Sequence, residues 1–156
     1  MKIVAATALL LAAALAGPAA QAEPNRVQLP PSLDGFVHYT TVTRGEVTEH
    51  VMTTPVAMEA IKAGKPVPPG THFLLVDYRD GKLYRTFVME KGDGFGAEYD
   101  GRRRTGDWQF QWFRPDRSVN MAENTARCQS CHRGQASSDY LFSGRRIPDF
   151  HGTPVE

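Results

Sequence analysis

The chain has 156 residues, 41% of them hydrophobic and 22% charged, which is the make-up of one globular domain and not of a disordered or fibrous chain. Its 18 basic and 17 acidic side chains leave a formal charge of +1, so there is no broad positive face and nucleic acid drops out as a partner. Beyond the N-terminus no apolar run approaches the ~20 residues of a membrane-crossing helix, so the body of the chain is not membrane-spanning.

Met1-Lys2, an apolar stretch over residues 3–16 and the Gly17-Pro18 break read as a secretory signal, with Ala20 and Ala22 as the small residues of a peptidase site. Cleavage after Ala22 leaves Glu23 first and places the protein in the periplasm. Lys2 is the one charge removed, so the mature chain is formally neutral. Residues 23–35, with Pro24, Pro30 and Pro31, form an extended lead-in, and residues 36–156 form a single domain. Residues 36–43 and 47–52, rich in aromatic and β-branched side chains, predict two strands around Arg44-Gly45. Thr54 followed by Pro55 caps a short helix that Gly64 stops. Residues 71–78 and 82–90 predict a hairpin closed by Asp80-Gly81. The Gly-rich residues 92–104 predict a polar, mobile loop; their glycines match no phosphate-cradling pattern. Residues 108–113 alternate aromatic and polar side chains as a half-buried strand does, and residues 120–133, free of Pro and Gly, predict a helix. The sum is a mostly β domain with a few short helices.

Cys128-Gln129-Ser130-Cys131-His132 is the C-x-x-C-H attachment signal of a c-type haem. Two thiols must add to the two vinyl groups on one edge of the porphyrin, and positions three apart on a helical turn share one face. His132, directly after the second thiol, is held where its imidazole can reach the iron, so it is the metal ligand. A thiol–disulfide oxidoreductase would place the pair at the start of a helix after an early strand of a βαβ unit, and a zinc site would need a further ligand pair. Export agrees with haem attachment, which takes place outside the cytoplasm, and no other cysteine is present to mispair.

The chain as a whole resembles the cytochrome P-460 family. The resemblance rests on residues 51–55 with Ala63-Gly64-Lys65-Pro66, on Pro69-Gly70-Thr71, on Gly106-Asp107-Trp108-Gln109-Phe110, on the haem motif, and on Asp139-Tyr140-Leu141-Phe142 after it. It implies an α+β fold, mainly an antiparallel β-sheet with a few short helices, one covalently attached haem c lying against the sheet, and frequently a homodimer. Founding members of the family join a strand lysine to the porphyrin rim and oxidise hydroxylamine and nitric oxide. Here the strand reads Thr71-His72-Phe73-Leu74-Leu75-Val76-Asp77, with leucine at position 75, the matching register, and with Lys65 and Lys82 only in loops. The chain is therefore closer to the beta-type cytochromes c-prime, which bind nitric oxide or carbon monoxide at an open iron face.

Phe73, Phe87, Phe110 and Trp112 are candidates for the haem wall. The sixth iron position could draw on Met52, Met58, Met89 or Met121, or on His38, His50, His72 or His151; each methionine also serves as a core gap-filler. His50 lies on the strand where the family places a polar distal residue, and Asp77 and Glu98 are candidate distal acids. Three functions follow. An open haem binds nitric oxide or carbon monoxide as carrier, scavenger or sensor. An oxidoreductase acting on hydroxylamine, nitric oxide or peroxide needs a distal proton-moving group. A periplasmic electron carrier needs a strong sixth ligand and a redox partner.

Overall fold

A computed structural model of the chain describes residues 25–156; the signal segment read at residues 1–22 lies outside them. Five strands, β1 (Val37–Arg44), β2 (Val47–Thr53), β3 (His72–Arg79), β4 (Lys82–Lys91) and β5 (Trp108–Phe113), pair antiparallel in chain order, so the sheet is a meander. Two helices, α1 (Pro55–Lys62) and α2 (Ala126–His132), complete an α+β fold that is mainly β-sheet. No helix among the described residues is long and apolar enough to cross a membrane.

Turn chemistry sets the register. In the β3–β4 loop both Asp80 (φ +49°) and Gly81 (φ +71°) adopt the left-handed backbone that a two-residue turn requires. Thr54 caps α1 by accepting the Ala57 amide through its hydroxyl, and Pro55 opens the helix without wasting a donor. Both edges of the sheet are covered. On one edge, the Val155 amide donates to the Tyr39 carbonyl and its carbonyl accepts from Thr41, running a short strap along β1. On the other, Asn25 Nδ2 donates to the Phe110 carbonyl and the Arg26 amide to Gln109 Oε1. Neither edge is left as a template for pairing.

Because opposed residues of antiparallel strands share a face, the register sorts the sheet into rows. One face carries Thr53, Phe73, Met89 and Phe110 in one row, Val51, Leu75, Phe87 and Trp112 in the next, and Glu49, Asp77 and Arg85 in a third. The other face carries His50, Val76, Thr86 and Phe113, beside Met52, Leu74, Val88 and Gln111. Each face has its own core. Val27, Leu29 and Leu33 of the lead-in, with Phe36 just after it, pack over Leu74, Val76, Val88 and Phe113 on the second face. Against the first face pack Met58 of α1, Leu141 and Ile147, together with Cys128 of α2.

Two expected elements differ. Residues 92–104 are not a loose loop: they hold a 3-10 turn, Phe95–Glu98, in which Phe95 and Gly96 are buried. The helix expected from residue 120 starts at Ala126, because Asn120 Oδ1 accepts the Ala122 amide and Asn124 Oδ1 accepts the Ala126 amide. Asparagine side chains that satisfy nearby amides offer the backbone turns in place of a helix.

Candidate functional site

The sheet's first face and the segment after β5 enclose a cavity of about 410 Å³, within the roughly 300–1,000 Å³ range of ligand sites. Cys128, Cys131 and His132 all open onto it, as the i, i+3 spacing on α2 requires. Facing them are Val51, Phe73, Leu75, Phe87, Met89 and Phe110 from four strands of the sheet. Neither cysteine is in a disulfide. Burial pushes the Cys128 thiol up to about 11, with the negative charges of Glu123 and Cys131 acting in the same direction. Between the thiols, Gln129 turns inward, fully buried, and its Oε1 accepts from Arg103 Nε at 2.9 Å.

His132 is the most constrained side chain of the site. Its ring lies between Phe110, at 4.7 Å between centroids, and Phe142, at 4.9 Å and nearly perpendicular. Its Nδ1 is 2.7 Å from the carbonyl oxygen of Tyr140. A carbonyl only accepts, so Nδ1 carries the proton and the lone pair is left on Nε2. Burial lowers the imidazole's pKa below its ordinary value, which the Tyr140 contact opposes, and the ring is a neutral donor at pH 7. The Tyr140 carbonyl is itself delivered by unusual backbone. Asp139 (φ +49°) and Tyr140 (φ +63°) are consecutive left-handed non-glycine residues, each costing on the order of 1–3 kcal/mol that surrounding contacts must offset.

These features fit a c-type haem: two thiols and one neutral imidazole with its outer nitrogen occupied, opening on one apolar space. His132 would hold the iron, and Cys128 and Cys131 the porphyrin edge.

Three of the four predicted wall aromatics, Phe73, Phe87 and Phe110, line the cavity. Trp112 stands beyond Phe87 in the same row, 6.0 Å away between centroids and outside the lining. Of the candidate sixth ligands among the described residues, only Met89 reaches the cavity. Met52 joins the opposite core, Met58 is buried beneath α1, and Met121 and His151 are exposed. His50 pairs with Thr41 and Val76, which turns it to the opposite face, where it stacks on His38 at 4.1 Å. His72 is on that face too, with Nε2 3.2 Å from Glu90. Glu98 is tied to Gln109 and Arg26, away from the cavity.

Of the charged end of the cavity the reading from sequence named Asp77 alone, as a distal acid, and missed its partners; Asp77 stands in the row of Glu49 and Arg85 but is not part of the lining. Arg85 and Glu49 both line the cavity, and Asp77, fully buried, accepts from Arg85 Nε through Oδ2 at 2.7 Å. Its Oδ1 has no hydrogen-bond partner. Arg44 closes the row's other end at 3.2 Å from Glu49. Charged residues at inward positions of β2, β3 and β4 were the available signal.

The sequence model described as Cytochrome P460 matches residues 34–143. No curated protein matches the chain.

Proposed function

The chain belongs to the cytochrome P460 family, and from that premise we propose that it is an exported mono-haem c-type cytochrome that binds nitric oxide or carbon monoxide at an open iron face. In this reading Cys128 and Cys131 carry the thioether bonds and His132 is the proximal ligand. The observation that carries it is the apolar wall of the cavity, with Leu75 between Phe73 and Asp77 on the face where the founding members carry a lysine. Lys65 and Lys82 do not line the cavity. The branch nearest in kind is the beta-type cytochromes c-prime.

Bound haem supplies an iron able to take up a small diatomic molecule. The protein supplies selection. Phe73, Leu75, Phe87 and Met89 offer no hydrogen bonds to replace those of water, so charged or strongly hydrogen-bonding ligands would lose hydration uncompensated, while neutral gases lose little. The Tyr140 carbonyl takes the Nδ1 proton of His132 and leaves the lone pair on Nε2 free for the iron.

Absorption spectra of the ferrous protein with and without nitric oxide test this reading. The expected result is a five-coordinate resting spectrum that changes on adding gas and that Met89→Leu leaves unaltered. A six-coordinate ferrous spectrum that Met89→Leu converts to five-coordinate would make the protein an electron carrier. Whole-protein mass should equal the chain from Glu23 plus one haem, with porphyrin only on the peptide holding Cys128 and Cys131. A second reading, an oxidoreductase of hydroxylamine, nitric oxide or peroxide, draws on Glu49, a nearly buried carboxylate at the cavity's charged end. Turnover of hydroxylamine or peroxide that Glu49→Gln abolishes without shifting the resting spectrum would favour it.

A further inference from the structure

The motif supplies His132, but nothing in it fixes the direction in which the imidazole points. That direction is set by the Tyr140 carbonyl, on a backbone that must be held against its own preference. Three contacts hold it. Lys91 Nζ lies 2.7 Å from Asp139 Oδ2, and Trp108 Nε1 donates to Asp139 Oδ1 at 3.2 Å. The Tyr140 amide donates to the Gln135 carbonyl at 2.8 Å. Lys91 and Trp108 are opposed residues of β4 and β5, so the grip on Asp139 is anchored in the sheet. Trp108 is fully buried, and the Lys91 side chain is 16% exposed. Below, the Tyr140 ring packs on Gly106, where an added Cβ would come within 2.9 Å of Tyr140 Cε2.

We propose that Asp139, gripped by Lys91 and Trp108, is a positioning residue for the axial histidine: it locks the left-handed turn whose carbonyl takes the Nδ1 proton of His132. The proposal rests on the haem reading above for its consequence, though the geometry belongs to the chain alone. A hydrogen bond to the outer nitrogen fixes the ring and makes the inner nitrogen a stronger donor, which favours ferric iron. Loosening the grip therefore raises the reduction potential.

Two measurements test this. In the matured chain as isolated, nitrogen-15 spectra should show the His132 proton on Nδ1, exchanging slowly with solvent. Asp139→Ala and Lys91→Met should each speed that exchange at least tenfold, and Asp139→Asn, which keeps an oxygen for Trp108, should fall between. In the haem-loaded protein the same variants should move the redox equilibrium about threefold toward ferrous iron, ~30 mV at 59 mV per tenfold for one electron. The double change of Lys91→Met with Asp139→Asn should shift it no further than the larger single change, because both act through one turn. If Asp139→Ala does not fold, Lys91→Met and Asp139→Asn carry the test. Variants that lower the melting temperature while leaving both exchange and potential at the wild-type values would reduce Asp139 to a structural brace and overturn the proposal. A matured chain without haem would sink the haem reading, and the exchange measurement would still decide the positioning.

Discussion

The two faces of the sheet are built by the same strands and do different work. On the back face alternate residues bury Leu74, Val76, Val88 and Phe113 under the lead-in before β1, and the side chains are closed over. On the front face the cover comes from α1 and from the segment after β5, a seven-residue helix followed by 3-10 turns, and it leaves an open cleft. The lead-in forms no helix or strand and lies on the sheet through its apolar side chains, whereas the front segment is pinned to the sheet by specific polar contacts at the turn of Asp139 and Tyr140. The sheet is the frame for both, and the chemistry sits where the cover leaves a cleft.

The largest test of that division acts on the front cover alone. Replacing both Cys128 and Cys131 by alanine should abolish covalent haem, so that acidified organic solvent extracts whatever porphyrin remains. Single replacements should leave one thioether, visible as a shifted band in the reduced pyridine adduct. Haem that resists extraction from the double variant would place the attachment elsewhere.

Adjacent residues of β3 then compare the faces directly. Phe73, 5% exposed, points to the cavity, and Leu74, 0% exposed, points to the back core. Phe73→Ala should cost about 3–5 kcal/mol and Leu74→Ala about 2–5 kcal/mol of unfolding free energy. Only Phe73→Ala should also change the haem spectrum and the rate of gas uptake. Equal spectral effects from both would mean that the faces are not independent.

The strands, the two hairpins and the haem motif were legible because they are local. Two-residue turns, β-branched runs and the C-x-x-C-H spacing need only neighbours in sequence. The charged row was not, for a reason visible in one residue. Counting two by two from the Asp80-Gly81 turn opposes Asp77 to Tyr84, but the register shifts between Tyr78 and Asp77, and Arg85 becomes the partner. A bulge is an extra residue whose placement depends on packing, not on alternation. The strand of His50 was identified, but its face follows from pairing with Val76, which the local pattern does not reveal. The grip of Lys91 and Trp108 on Asp139 joins residues far apart in the chain and had no local signal.

The Gly-rich residues 92–104 show the same limit and supply the next test. Glycine there reads as freedom, yet a Cβ on Gly96 would lie 1.8 Å from the Gly106 carbonyl oxygen, and the Gly96 amide donates to Asp107 Oδ1 at 3.1 Å. Here glycine permits close approach of two backbones. Gly96→Ala should therefore cost roughly 1–3 kcal/mol, the range of overpacked sites, measured by urea unfolding. Gly101→Ala, where nothing lies within 4 Å of the new methyl, should be close to neutral. A neutral Gly96→Ala would return this stretch to the status of a loose loop.

The smallest effect belongs to the back face and is read by pH. His38 and His50 stack with ring centroids 4.1 Å apart, His38 Nε2 lies 3.0 Å from Thr41 Oγ1, and Tyr78 packs on His50 from the far side at 4.9 Å. Burial lowers the His38 pKa below 6.5, the charge on His50 lowers it further, and the Thr40 backbone and the Glu156 carboxylate oppose both. Folded His38 thus binds fewer protons than unfolded His38, so its contribution to stability is complete above the unfolded value near 6.5 and is lost as pH falls through 6.5 toward the folded value. The urea midpoint of the wild type should decline over that interval, and His38→Gln, which cannot charge, should decline less. The difference between the two curves reports His38 together with its coupling to the stacked His50, and the change should leave the haem spectrum untouched because the stack lies on the face turned away from the cavity. Parallel curves for the two proteins would mean that the stacked pair costs nothing to protonate.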